Sequence, residues 1–203
     1  MVFVKAQSGD TATPAPESAE GANSPYDWLV MLTSPDVSAR RFAARALSTV
    51  PDVVPMLCAR LVSEQNLSVR SIILTGLILN KSRAVVEGLL PLLASEDANL
   101  RNSAIEALQD MPDEVAPYID ALLHDANSDV RIFTVNVLAA LPHPMVPEWL
   151  RQVVRGDSHV NVCAAAVDAL AEAGGPEAIP ALKALPGRFA KVAFIRFAVD
   201  AAI

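Results

Sequence analysis

Few residues in this chain have the types and spacing that covalent chemistry needs. His159 and Cys163 lie four positions apart, so on one helix they share a face. An imidazole beside a thiol is a way to make a thiolate nucleophile. Asp157 and His124-Asp125 stand where neighbouring turns would bring them alongside. A buried small residue beside a surface histidine is the commoner meaning of such a pair. There is no glycine-rich phosphate loop, no Cys-x-x-Cys pair and no His-Glu-x-x-His. We therefore expect no metal, no resident cofactor and, on balance, no catalysis. Cys58 and Cys163 give no disulfide framework, and both fall in expected helices; a reducing, cytoplasmic compartment is the natural reading. The net charge of −7 argues against a general nucleic-acid binder, whose affinity comes from clustered Lys and Arg. No run is long and uncharged enough to span a bilayer.

The elements that would position these residues repeat along the chain. An apolar residue, a basic residue and, seven positions after the basic one, a leucine recur as Ala39-Arg40 to Leu47, Val69-Arg70 to Leu77, Leu100-Arg101 to Leu108 and Val130-Arg131 to Leu138. Val162-Cys163 to Leu170 completes the series with cysteine in the basic slot. The second position falls at 40, 70, 101, 131 and 163, at intervals of 30, 31, 30 and 32. Six and four residues before it stand Ser34/Asp36, Glu64/Asn66, Ser95/Asp97, Asp125/Asn127 and Asp157/His159. Ser, Asp and Asn accept hydrogen bonds from the unpaired amides of a first helical turn, so these pairs mark helix starts. Small residues at Ala43/Ala46, Ala104/Ala107 and Ala166/Ala169 suit close approach of paired helices. A second, more apolar helix follows each first one, as in Asp97 to Leu123, where Met111-Pro112-Asp113 makes the turn. The recurring arginines read as a ladder tying one unit to the next rather than as an anion site, because a residue repeated in a solenoid usually serves the repeat.

The Asp-x-x-Val-Arg-type runs, such as Asp125 to Arg131, the Ala-Leu ends of the first helices, and the stretch AEAGGPEAIPALKAL from Ala171 to Leu185 resemble HEAT-like repeats. They are most similar to the short class of about thirty residues found in phycobilisome-lyase-type proteins. The resemblance covers Ser34 to Leu185. It departs at Cys163 and at Asn80-Lys81-Ser82-Arg83, which replaces a proline-containing turn. It implies an all-α fold, a right-handed α-solenoid of about five two-helix units (34–62, 64–93, 95–123, 125–154 and 157–185) with partial capping helices at both ends. HEAT-like iron hydroxylases carry paired His-Glu motifs, and none of His124, His143 and His159 is followed by Glu.

In such stacks the second helices line the concave side. One column there holds Met56, Glu87, Tyr118, Glu148 and Ala181, and its neighbours hold Arg60, Arg151 and Gln152. Tyr118 and Met56 would anchor a partner and the glutamates would suit a basic or polar one, against the plainer reading of a solvated face. Two functions follow: a non-enzymatic scaffold or adaptor binding another protein on this face, or, as the resemblance implies, a lyase-like or chaperone subunit that handles a tetrapyrrole or another prosthetic group. At the ends, residues 1–24 lack an apolar period and read as a disordered tail. Residues 25–32, with Trp28, read as an N-terminal cap. Pro186-Gly187 reads as a break before a last helix over 188–203 that is apolar nearly all round. Its far side, with Phe194, Phe197 and Ile203, is covered either by the end of the stack or by another copy in a homodimer.

Overall fold

The computed structural model describes residues 24–203, and the expected N-terminal tail lies, but for Ser24, outside them. Among the described residues the chain is an α-solenoid without strands. The helix pairs are α2 (Val37–Leu47) with α3 (Val54–Ser63), α4 (Leu67–Asn80) with α5 (Arg83–Leu89), and α6 (Ala98–Gln109) with α7 (Pro112–Leu123). They continue as α8 (Ser128–Ala139) with α9 (Val146–Gly156) and α10 (Val160–Ala173) with α11 (Ile179–Arg188). Two further helices, α1 (Pro25–Met31) and α12 (Ala193–Ala202), close the two ends.

Each first helix starts in the same way. Asp36, Asn66, Asp97 and Asn127 are the N-caps of α2, α4, α6 and α8, and their side chains accept from first-turn amides. His159 caps α10 without a side-chain bond. Two residues before each cap a second side chain accepts from the cap's own amide: Ser34 at 3.1 Å, Glu64 at 2.8 Å, Ser95 at 3.2 Å, Asp125 at 2.8 Å and Asp157 at 2.7 Å. The pairs legible in the sequence are thus a two-step device that turns the chain into each unit and satisfies amides a helix start leaves unpaired. Second helices mostly begin on proline at their first turn, as at Pro55, Pro112 and Pro147, where its missing N–H costs nothing.

A continuous core of Leu, Val, Ile and Ala runs between the two rows of helices, with Leu47, Leu61, Ile73, Leu77, Leu108, Ile119 and Leu138 fully buried. Small residues set the closest seam. A Cβ added to Gly76 of α4 would stand 2.5 Å from the Ser48 Cβ at the end of α2, so α4 lies tightly on α2. The seams α8–α10 and α10–α12 are likewise close, whereas α4 barely meets α6, which packs on the 3-10 turn Leu90–Ala94 instead.

The C-terminal end corrects one expectation. Pro186-Gly187 does not end a helix: α11 runs through both to Arg188, and the break falls over Phe189–Val192 before α12. Buried Leu185 holds the final turn to the core, and the Arg188 guanidinium donates to the carbonyls of Val154 and Asp157. These attachments outweigh the single backbone bond that an interior proline removes. The shorter α12 lies against α10 and α11 with Ile195 and Val199 buried. Trp28 of α1 packs on the core at the opposite end.

Candidate functional site

The recurring arginines form a ladder along the edge where one unit hands on to the next. Arg40 donates to both carboxylate oxygens of Glu64, at 2.8 and 3.0 Å, and to the Ser34 carbonyl at 2.8 Å. Arg70 reaches Asp97 at 2.7 Å and the Glu64 carbonyl. Arg131 forks onto Asp157 at 2.7 and 3.1 Å and onto the Asp125 carbonyl at 2.8 Å. In each case the guanidinium takes the carbonyl six residues back within its own unit and a carboxylate at the start of the next. Arg101 keeps the first bond, to Ser95 at 2.6 Å, but lies over the Phe133 ring at 4.4 Å instead of on an acid. This is a structural ladder.

Cys163 occupies the fifth slot, and its surroundings settle its chemistry. The thiol is fully buried and donates to the Asp157 carbonyl at 3.4 Å, the carbonyl six residues back. Burial, partly offset by Arg188, raises its pKa above the ordinary thiol value. Cys58 is buried too, and burial pushes it up to about 11. A thiol that stays protonated and out of solvent is a poor nucleophile. His159 sits at the helix start with its Nδ1 unbonded. The missing fifth guanidinium is supplied from another element: Arg188, at the end of α11, donates to the same Asp157 carbonyl.

Glu64 shows what the ladder does to a carboxylate. It is 1% exposed, and burial alone would raise its pKa. Hydrogen bonds from Arg40, Arg60 and the Asn66 amide outweigh that and bring it down to about 2. Arg60, expected on the concave column, is therefore drawn back to the ladder edge by its ion pair with Glu64.

The other second-helix residues fall into two groups. On α5 and α7, Glu87 accepts from Arg83 at 2.8 Å and from the Tyr118 hydroxyl at 2.8 Å, with Arg83 5.9 Å over the Tyr118 ring. Arg83 holds the Glu87 carboxyl below its usual value, while partial burial and Glu87 raise the Tyr118 phenol. On α9, Arg151 bonds Glu148 through Nε at 3.1 Å and faces Glu177 of the 3-10 turn Pro176–Ala178 at 3.4 Å, and Arg155 lies 3.9 Å from Glu148. Arg151 lowers the Glu148 carboxyl. Gln152 is exposed beside a small hollow of about 160 Å³ with Leu123 and His124. Met56 stands exposed on α3, whereas Ala181, aligned with it in sequence, is in the core. The spacing missed Arg83, while Trp149, whose register points it to the core, packs against the core and also stacks on His143 with ring centroids 4.9 Å apart. Arg83 lies one turn before Glu87, and a search one turn to either side of the column would have found it.

At the far end Phe194, Phe197 and Ile203 are exposed on the outer side of α12. Among the described residues, no cluster of His, Cys, Asp or Glu could hold a metal ion, and no helix is long and apolar enough to cross a membrane.

Comparison with known proteins agrees with this architecture. A profile of HEAT repeats matches residues 115–187, from the second turn of α7 to the last turn of α11. The bilin biosynthesis protein PecE of Mastigocladus laminosus is 30% identical over 164 residues, spanning 78% of this chain and 60% of PecE. This chain thus matches well under two thirds of that relative's length. Among solved structures, an engineered protein aligns over 89% of this chain and 95% of its own at 20% identity, with a TM-score of 0.41. The complex of CpcE and CpcF of phycocyanin lyase from Nostoc sp. PCC7120 aligns over 95% of this chain and 98% of the matched one at 19% identity, with a TM-score of 0.39.

Proposed function

Because this chain is a HEAT-like repeat protein with repeats of the short, phycobilisome-lyase type, we propose that it is the binding subunit of a bilin-handling assembly. It presents a linear tetrapyrrole, or the protein that receives one, on its second-helix face. The observation that carries this reading is the likeness to a bilin biosynthesis protein over 164 residues at 30% identity. The burial of both cysteines supports a part in holding and orienting rather than in the attachment itself. A bilin offers propionate carboxylates and a flat conjugated surface. Arg83 and Tyr118 offer a guanidinium and an aromatic ring side by side, and Arg155 an exposed cation two helices along. A cation beside a ring is a fitting receptor for an acidic, flat molecule.

The partner protein lies along Met56, Glu87, Tyr118, Glu148, Arg151 and Gln152, with Arg60 at the edge. The outer side of α12 serves self-association. The test is a titration of the purified chain with biliverdin, read as induced circular dichroism in the visible. Saturable binding that weakens with Tyr118→Ala plus Arg83→Ala supports the reading. If no pigment signal arises, alone or with a candidate acceptor protein, while a lysate partner is still lost on Tyr118→Ala plus Glu148→Ala, the chain is a pigment-free scaffold.

A further inference from the structure

The first-helix side of the stack carries a cleft that the function proposed above does not use. It lies between α4 and α6 and encloses about 540 Å³, within the range of ligand pockets. Its origin is local. Gly76 lets α4 close on Ser48 at the end of α2, and α6 rests on the turn Leu90–Ala94, so the two first helices splay where their counterparts elsewhere touch.

The two walls differ in chemistry. From α4 come Leu67, Leu74 and Ile78, at the i, i+7, i+11 spacing of one helical stripe, with Ser71 and Thr75 between them and Arg70 beside them. Leu67 is 64% exposed, and Leu79 beyond the cleft is 75% exposed. The opposite side of the same helix buries Val69, Ile73 and Leu77 in the core. Thus α4 carries a second apolar stripe, interrupted by Ser71 and Thr75, besides the one it buries, a pattern that suits cover on both sides. From α6 come Asn102, Glu106 and Asp110, at i, i+4, i+8. Asp97 already pairs with Arg70 of the α4 wall, so Glu106 and Asp110 leave the α6 wall polar and negative.

We propose that this cleft is a docking groove for a basic amphipathic helix of a partner protein. The partner's apolar stripe lies on Leu67, Leu74 and Ile78, and its Lys or Arg residues meet Glu106 and Asp110. An elongated groove with one apolar and one acidic wall is matched by such a helix, and the chain's net charge of −7 favours its approach. This proposal does not depend on the bilin reading, because it uses the other side of the molecule.

The experiment measures binding of a fluorescent synthetic peptide with leucines on one helical face and lysines on the other, by anisotropy against the full chain. Thr75→Trp fills the cleft from an exposed position, and Glu106→Lys with Asp110→Lys reverses its charged wall. Each should raise the Kd about tenfold or more, roughly 1.4 kcal/mol, with an unchanged unfolding midpoint. Val62→Ser, at an exposed apolar position of α3 outside the cleft, should leave the Kd unchanged. Hydrogen exchange should slow in α4 and α6 on peptide addition. Equal binding of a scrambled peptide or of one with glutamates in place of the lysines overturns the proposal. So does insensitivity to both cleft variants, or loss of binding in Val62→Ser.

Discussion

The ladder edge and the second-helix face use the same two groups, guanidinium and carboxylate, to different ends. At the edge, Glu64 is 1% exposed and shared by Arg40 and Arg60, and both its oxygens are occupied. On the face, Arg83 holds Glu87 with its side chain 81% exposed. A buried ion pair whose members are also bonded to backbone fixes the register of one unit on the next, and removing one partner strands the other charge. An exposed pair is weakly held and screened by salt, so it can exchange its partner for a ligand. Burial, and not residue type, separates the part of the molecule that is structural from the part that is free to bind.

The sharpest way to break this comparison is to remove one carboxylate from each region. Glu64→Ala should cost about 3–5 kcal/mol, the usual loss when a buried pair is broken from one side, read as a fall in the urea midpoint. Glu87→Ala should leave that midpoint where it is. An equal response from both would refute the distinction.

Acid should act on the same edge. Glu64 has an ordinary value of 4.5 and sits at about 2 in the folded chain, and Asp97 and Asp157 are also lowered. A depressed carboxylate contributes stability that is complete above its unfolded pKa and disappears as pH falls through the folded one. Stability should therefore decline from about pH 4.5 toward pH 2, and Glu64→Gln should flatten that decline while starting lower.

A smaller effect tests whether Arg188 belongs to the ladder despite its place on α11. Arg188→Met should cost about 1–2 kcal/mol, since charge-assisted bonds to carbonyls are worth somewhat more than neutral ones but this side chain is partly solvated. It should also raise amide exchange around Asp157 and α12. The smallest effect belongs to the face: Glu87→Gln should lower the Tyr118 phenol pKa in a spectrophotometric titration, because Glu87 helps to raise it, with no change in stability.

Sequence spacing revealed the ladder because its members recur every thirty residues or so and share a helix start; the structure adds that they reach both back and forward. It also placed Glu87 and Tyr118 in line, 31 residues apart. It could not show that the column parts between α7 and α9, which barely meet, or that Ala181 turns inward, since both depend on small rotations between units. Pro186-Gly187 misled because a local breaker rule was overridden by long-range anchors at Leu185 and Arg188. The α4–α6 cleft was illegible for a related reason: it comes from how closely one glycine lets two helices approach.

Cys163 has a consequence for how this sequence can change over generations. Cysteine and arginine codons differ by a single nucleotide, so the fifth rung is one mutation from the residue found in the other four slots. That substitution would meet Arg188, which already donates to the Asp157 carbonyl, and would crowd two guanidinium groups around a buried position. Arginine at 163 is therefore accommodated once Arg188 has been lost, a loss whose modest cost lets it come first. The two positions, 25 residues apart in the chain, should drift as a linked pair, with the order of substitution set by charge rather than by chance.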